Sequence, residues 1–308
     1  MNKPWSTLSV DWLTAHRINP GPGVPTDADG VEWVLTDLTG WVGSPGVRSA
    51  RSARPLGRHG SYRGRSSRTE RVLGVEVTMT APDEAMVPGI SERAEALCSN
   101  SESPYVLTVD DPVIGPRSAD VDLDDAVLVK WRTPESQIIS YQFAAPDPCK
   151  HGPWITYETP LSEPPVGGLD FTSPGLNFTS PGLNFGTPGS PGTVAVPNPG
   201  TADASPVLEL VGPLPDAQVI CMETGVRANF GQPIEAGHSM WINCDEFPAL
   251  GLPGLSVLLD AQSDRRRWWM VPQGWPLIPA GGSVTFALRS SSYDPAARLR
   301  VVSRSAWW

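Results

Sequence analysis

Residues able to do chemistry are present, but their spacing does not assemble a reaction centre. Gly237-His238-Ser239-Met240-Trp241 starts like the sharp turn that presents a nucleophilic serine, yet it lacks the closing glycine. His238 and Ser239 are also sequence neighbours, and neighbours in a strand point to opposite faces, so they cannot form a relay with each other. Asp120, Asp122, Asp124 and Asp125 begin like a calcium loop. The sixth position is then Asp125 where glycine is needed for the turn, and the twelfth is Trp131 where a bidentate glutamate is needed. A solvated strand edge is the simpler reading of that run. No HExxH, Walker loop or GxGxxG occurs. Cys98, Cys149, Cys221 and Cys244 form no CxxC pair, and with only four histidines no zinc cluster is completed. They read as buried, reduced thiols, fitting synthesis in a reducing cytoplasm. No catalytic residue, metal site or cofactor is expected. Scattered carboxylates are all that a cell-wall hydrolase reading would have behind it.

What remains is chemistry of contact. Segment 46–73 holds eight arginines and one acid, Glu70, whereas segment 83–163 holds fifteen acids and five bases. Two solvated faces would explain this. So would self-complementarity, with the basic segment of one copy reaching the acidic face of the next. On the second reading the interface residues are Arg58, Arg63, Arg65 and Arg68 with Asp122 and Asp124. A phosphate-binding arm is the weaker alternative, because Tyr62 is the only interleaved aromatic and the chain as a whole carries a net charge of −10. Trp268, Trp269 and Trp275, near Arg265, Arg266 and Arg267, mark a contact for glycan or partner; packing into a core or interface is the plainer use of such rings.

The elements that position these residues read as mostly strand. Proline and glycine together make 64 of the 308 residues, which favours short strands and many turns over long helices. Alternating patterns predict strands over 31–42, 72–80, 105–109, 126–131 and 137–144. Helical spacing of Ile90, Ala94, Leu97 and Cys98 behind Pro88 predicts one helix over 88–99. The arginine-rich 46–71 is too polar for a core and reads as a long loop or extended arm. A seven-residue unit then repeats three times, placing Leu169 and Phe171, Leu176 and Phe178, and Leu183 and Phe185 two apart. Proline in every unit excludes a coiled coil. The two-residue spacing sends each pair to one side of an extended chain, which makes the repeat a surface-gripping arm. Residues 189–206 read as linker. From 207 onward the predicted strands are 207–211, 217–223, 239–243, 255–260, 283–289 and 298–302, the pattern of a β-sandwich. The expected organisation is therefore mainly β. An N-terminal β domain over 1–163 has one packed helix and an extended arm, 164–206 is repeat and linker, and a C-terminal β-sandwich of jelly-roll or galectin-like kind spans 207–308. The N-terminus leads into no apolar stretch of a signal peptide, and no run approaches ~20 apolar residues, so nothing marks the chain for secretion or membrane insertion.

Several of these features resemble one family. The ending Arg304-Ser-Ala-Trp307-Trp308 is similar to that of siphophage distal tail proteins, a class of minor tail protein. Trp275-Pro-Leu-Ile-Pro279 through Phe286 resembles that family's stretch before its last strands, and the Leu-x-Phe repeat resembles the run between its two domains. The order of strand, arginine/glycine loop with Tyr62-Arg63-Gly64-Arg65, strand and helix is similar too. The Ser-Pro corners of the repeat and the strands running straight into a double Trp depart from the pattern. The resemblance implies a structural virion protein without catalysis. It would form a homo-oligomeric ring of six copies, joining the tail tube to the tip and serving as a platform for hub and fibre proteins. Partners implied are other copies, the tail tube, hub and tape-measure proteins, and fibre or receptor-binding proteins, with no membrane and no sequence-specific nucleic acid. Its place would be the virion tail tip, and the host cytoplasm during assembly. The alternative is a carbohydrate-binding module that recognises host cell-wall glycans.

Overall fold

The computed structural model describes residues 7–17, 25–53, 59, 61–99, 103–163, 189–265, 269–270 and 275–308; for 50–53, 61–63 and 269–270 only the backbone is described. The chain divides into two compact units, Met1–Pro153 with Trp307–Trp308, and Trp154–Ala306.

The first unit is built on β1 (Thr7–Val10), β2 (Leu13–His16), β3 (Glu32–Thr39), β4 (Val47–Ala53), β5 (Ser61–Arg68), β6 (Arg71–Thr80), β7 (Tyr105–Asp111), β8 (Gly115–Leu123), β9 (Leu128–Thr133), β10 (Ser136–Ala145) and β11 (Lys150–His151). Period-2 alternation sends one side of each long strand inward; in β6, Leu73, Val75, Val77 and Met79 are buried while Gly74 and Glu76 are less so. The sheet runs β8-β7-β1-β2-β3-β6-β10-β9, and β8 pairs with β10 as well as β7. That extra pairing closes the sheet on itself, as in a barrel, with β9 left as an edge strand. Helix α1 (Val87–Glu95) lays Val87, Ile90 and Ala94 on the same core, and the Tyr141 hydroxyl donates to the Ala94 carbonyl at 3.2 Å. The helix stops at Glu95, earlier than expected, but Leu97 and Cys98 stay buried in the following turn.

The arginine-rich segment is a hairpin rather than a loop. β4 and β5 pair antiparallel and form a two-stranded sheet of their own. Serine, arginine and alanine supply no apolar face, but alternating backbone hydrogen bonds do not require one.

The second unit is a sandwich of two antiparallel sheets. Its strands are β12 (Ile155–Pro160), β13 (Thr193–Asn198), β14 (Val207–Val211), β15 (Gln218–Cys221), β16 (Arg227–Phe230), β17 (Ser239–Asn243), β18 (Ser256–Leu259), β19 (Ser263–Asp264), β20 (Trp269–Met270), β21 (Gly282–Arg289) and β22 (Arg298–Ser303). One sheet runs β12-β22-β14-β17-β18-β19 and the other β13-β21-β15-β16-β20. Leu208, Leu210, Met240, Ile242, Leu299 and Val301 from the first, with Val196, Val219, Val284, Phe286 and Leu288 from the second, are buried. On the outer side of the six-stranded sheet, Val207, Leu258 and Val302 carry a smaller cluster with Ala249 and Leu252, packed by Trp154 and Trp241.

Two boundaries differ from those read in the sequence. β12 pairs along its length with β22, so residues 155–163 count with the second unit rather than the first. Residues 189–206 are not plain linker: β13 pairs with β21, and Asn198 is fully buried. The asparagine amide donates to the carbonyls of Ala202 and Ile278 while its oxygen accepts from Gly200 N. Such non-local bonds leave no local signal in a Pro/Gly-rich segment. β23 (Ala306–Trp307) follows β22, and Trp307–Trp308 belong to the first unit.

Candidate functional site

The arm is held at its base by a set of specific contacts. β3 ends at Thr39, and Gly40 turns the chain with φ 76°, where a Cβ would run into the Val72 carbonyl. Thr69 N donates to the Gly46 carbonyl at 3.0 Å, closing the mouth of the hairpin. Arg68, the last residue of β5, donates to Ser44 Oγ and the Pro45 carbonyl. Its guanidinium lies 5.3 Å from the ring of Trp308, while Arg117 lies 4.0 Å from the ring of Trp307. The closing tryptophans thus act as flat seats for two cations of the first unit.

Beneath the arm lies a buried basic cluster that the sequence did not disclose. Arg71 is 2% exposed. Its Nη1 donates to the carbonyls of Gly40 and Gly43, and its Nε to that of Pro148. Lys150 Nζ donates to the Trp41 carbonyl at 3.1 Å and lies over the Trp41 ring. His151 Nε2 meets Asp147 Oδ2 at 2.7 Å. Burial, then the guanidiniums of Arg71 and Arg117, push the Lys150 ammonium down to about 8. Burial lowers Arg71 and Arg117 as well. Arg71 closes a run of eight arginines whose other members carry no mark of burial in their spacing. Only the strongly apolar strand that follows it would have hinted that this one is pinned at the edge of a core.

The expected interface residues do not converge. Arg65 is exposed on β5, Arg68 is half-buried at the hairpin base, and Arg63 lies on β5 with only its backbone described. Asp122 is exposed on β8, and Asp124 accepts from Gln142 Nε2 at 3.0 Å. Arg58, the repeat residues from Leu169 to Phe185, and Trp268 lie outside the described residues. Trp269 is described by backbone alone in β20, and Trp275 is half-buried.

Nothing described assembles a reaction centre. His238 Nδ1 meets Asp260 Oδ2 at 2.7 Å, whereas Ser239 Oγ accepts from Trp241 Nε1 at 2.9 Å, so the two side chains engage different partners. Asp260 also accepts from Ser239 N, and these hydrogen bonds hold its carboxyl below its ordinary range. The four cysteines are free and buried; burial, together with Asp11 and Asp122, raises the Cys98 thiol to about 12. Among the described residues no group of three His, Cys, Asp or Glu side chains could hold a metal ion, and no helix is long and apolar enough to cross a membrane. The geometry suits docking: a hairpin carried outside a closed barrel and anchored firmly at its root.

No protein-family model matches the chain, and no curated protein matches it in sequence. Solved structures do match in fold. The SPP1 Dit protein, described as a paradigm of the hub adsorption apparatus in phages infecting Gram-positive bacteria, aligns with a TM-score of 0.60. Identity is 10%, and the alignment covers 90% of this chain and 94% of that one. The chain therefore shares the fold of that Dit protein. Two structures of the phage P2 baseplate in its activated conformation, with calcium and with strontium, align at TM-scores of 0.45 and 0.41. Their identities are 13% and 12%, with 85% of this chain and 92% of each matched chain covered, and they are too distant to bear weight.

Proposed function

We propose that the chain is a structural, non-enzymatic component of a siphophage tail tip: a distal tail protein whose copies form a ring, six in number, between the tail tube and the tip. The observation that carries this reading is the end-to-end alignment with the SPP1 Dit fold, which takes in nearly the whole of both chains. The hairpin outside the barrel and the segregation of basic and acidic segments support self-association. On this reading the first unit makes the ring. The second carries hub, fibre or receptor-binding partners, and the tube and tape-measure proteins meet the ring face. The protein works in the virion after assembly in the host cytoplasm. Light scattering and negative-stain microscopy of the purified full chain test it, with hexameric rings as the expected result. A chain that stays monomeric at high concentration would overturn the ring.

A further inference from the structure

The buried basic cluster of the first unit carries more positive charge, and more N–H groups, than the chain itself satisfies. Three segments bring it together. Arg71 opens β6, Arg117 lies on β8, and Lys150 and His151 form β11. Arg71 and Lys150 are seated on one turn, the guanidinium on the carbonyls of Gly40 and Gly43 and the ammonium on that of Trp41. Arg71 Nε also donates to the Pro148 carbonyl, which sets it against the segment that carries Lys150 and His151. His151 stands opposite Ser118 in register, next to Arg117 in the chain. The charges of Arg71 and Arg117 both reach the Lys150 ammonium. Among the described residues, the carboxylates whose charge reaches the two guanidiniums are Asp147 and Asp111. Asp147 takes His151 Nε2 on one oxygen and the Cys149 N–H on the other. Asp111 Oδ1 accepts from the N–H groups of Val113 and Ile114. Three cations thus stand against two carboxylates before His151 is counted.

The hydrogen bonds point the same way. Arg71 Nη2, Arg117 Nε and His151 Nδ1 are shielded from solvent and meet no hydrogen-bond partner among the described residues. Arg71 is 2% and His151 5% exposed, so both side chains are more than nine-tenths buried. A charged donor buried without an acceptor is costly, and buried polar groups are as a rule paired. Guanidinium and ammonium groups meet oxyanions through short, charge-assisted hydrogen bonds. Donors that arrive from three segments need acceptor oxygens on several sides, which a tetrahedral oxyanion has and a planar carboxylate lacks. Burial excludes a bulky ligand. We propose that Arg71, Arg117, Lys150 and His151 form a binding site for a tetrahedral oxyanion of the phosphate or sulfate class, which locks the turn 40–43 to the segment 147–151 at the root of the hairpin. His151 takes part with Nδ1 protonated, its Nε2–H staying on Asp147. The site lies within one chain, so it stands or falls independently of the ring.

Thermal unfolding of the full chain tests the site, in phosphate, in sulfate and in chloride at matched pH and ionic strength. Phosphate or sulfate at about 10 mM should raise the midpoint of the first unit's transition by about 5 °C or more over chloride. Arg117→Gln and Lys150→Met should each remove that rise, which corresponds to an anion affinity weakened about ten-fold or more. Lys130→Gln, on the exposed β9, should keep it. Arg117 is only half-buried, so its variant decides the matter if Lys150→Met does not fold. A crystal structure grown with selenate reads the place directly: its anomalous peak should fall among Arg71 Nη2, Arg117 Nε and His151 Nδ1. A rise with one of the two anions and not the other supports the site and names its ligand. Equal midpoints in all three salts would overturn it, because screening of like charges then accounts for everything. A rise that survives Arg117→Gln and any folded Lys150→Met would overturn it too, as would selenate bound elsewhere and not here.

Discussion

Arg71 shows how one residue can hold an element that it does not belong to. Its guanidinium sits buried among the carbonyls of Gly40, Gly43 and Pro148, at the point where the chain leaves β3 for the arm. Removing it strands those carbonyls, so Arg71→Met should destabilise the first unit by about 2–4 kcal/mol, read from its calorimetric transition. Arg71→Lys should recover little, because a point charge cannot serve three divergent acceptors. Lys150 makes a separate prediction through pH. Folding lowers its pKa from 10.5 to about 8, so between those values the unfolded chain binds more protons and the contribution of Lys150 to stability rises with pH. The cost of the buried charge is complete below pH 8. Relative to Lys150→Met, the parent should therefore lose about 2–3 kcal/mol between pH 10.5 and pH 7 in urea unfolding. A difference independent of pH would refute the buried, depressed lysine.

At the scale of elements, strands with a clean alternation were legible. Val75, Val77 and Met79 on β6, and Val284, Phe286 and Leu288 on β21, declare their buried faces. β14 and β17 lie on the predicted residues 207–211 and 239–243. What could not be read was pairing between distant segments. The hairpin of β4 and β5 has no apolar period to betray it, and β13 carries Pro197 and a polar Asn198 whose role depends on two remote segments. Asn198→Ala should accordingly cost the second unit about 2–4 kcal/mol, measurable by chemical denaturation, because several buried backbone groups lose their partner at once. The base of the arm depends in turn on Trp308. A cation–π contact at a partly exposed site is worth about 0.5–1 kcal/mol, so Trp308→Ala should raise the rate of tryptic cleavage within 47–68 about two- to five-fold. Unchanged cleavage would remove the C-terminal residue from the support of the hairpin.

At the scale of the molecule, segregated charge points to self-contact between a basic segment and an acidic one. Asp125 lies between β8 and β9, and the fold, rather than any spacing in the sequence, brings it to line one groove with Asp37 and Glu76. Such a site is a product of topology, because its members come from three separated segments. The Pro/Gly content spoke for a β protein, and the end-to-end match to the SPP1 Dit fold is what supports the proposed place in a particle. The most direct measurement of the proposed place is immunogold labelling of intact phage particles with antibodies raised against the chain. The account predicts gold confined to the distal end of the tail. Particles that lack the protein, or carry it on the capsid, would contradict it.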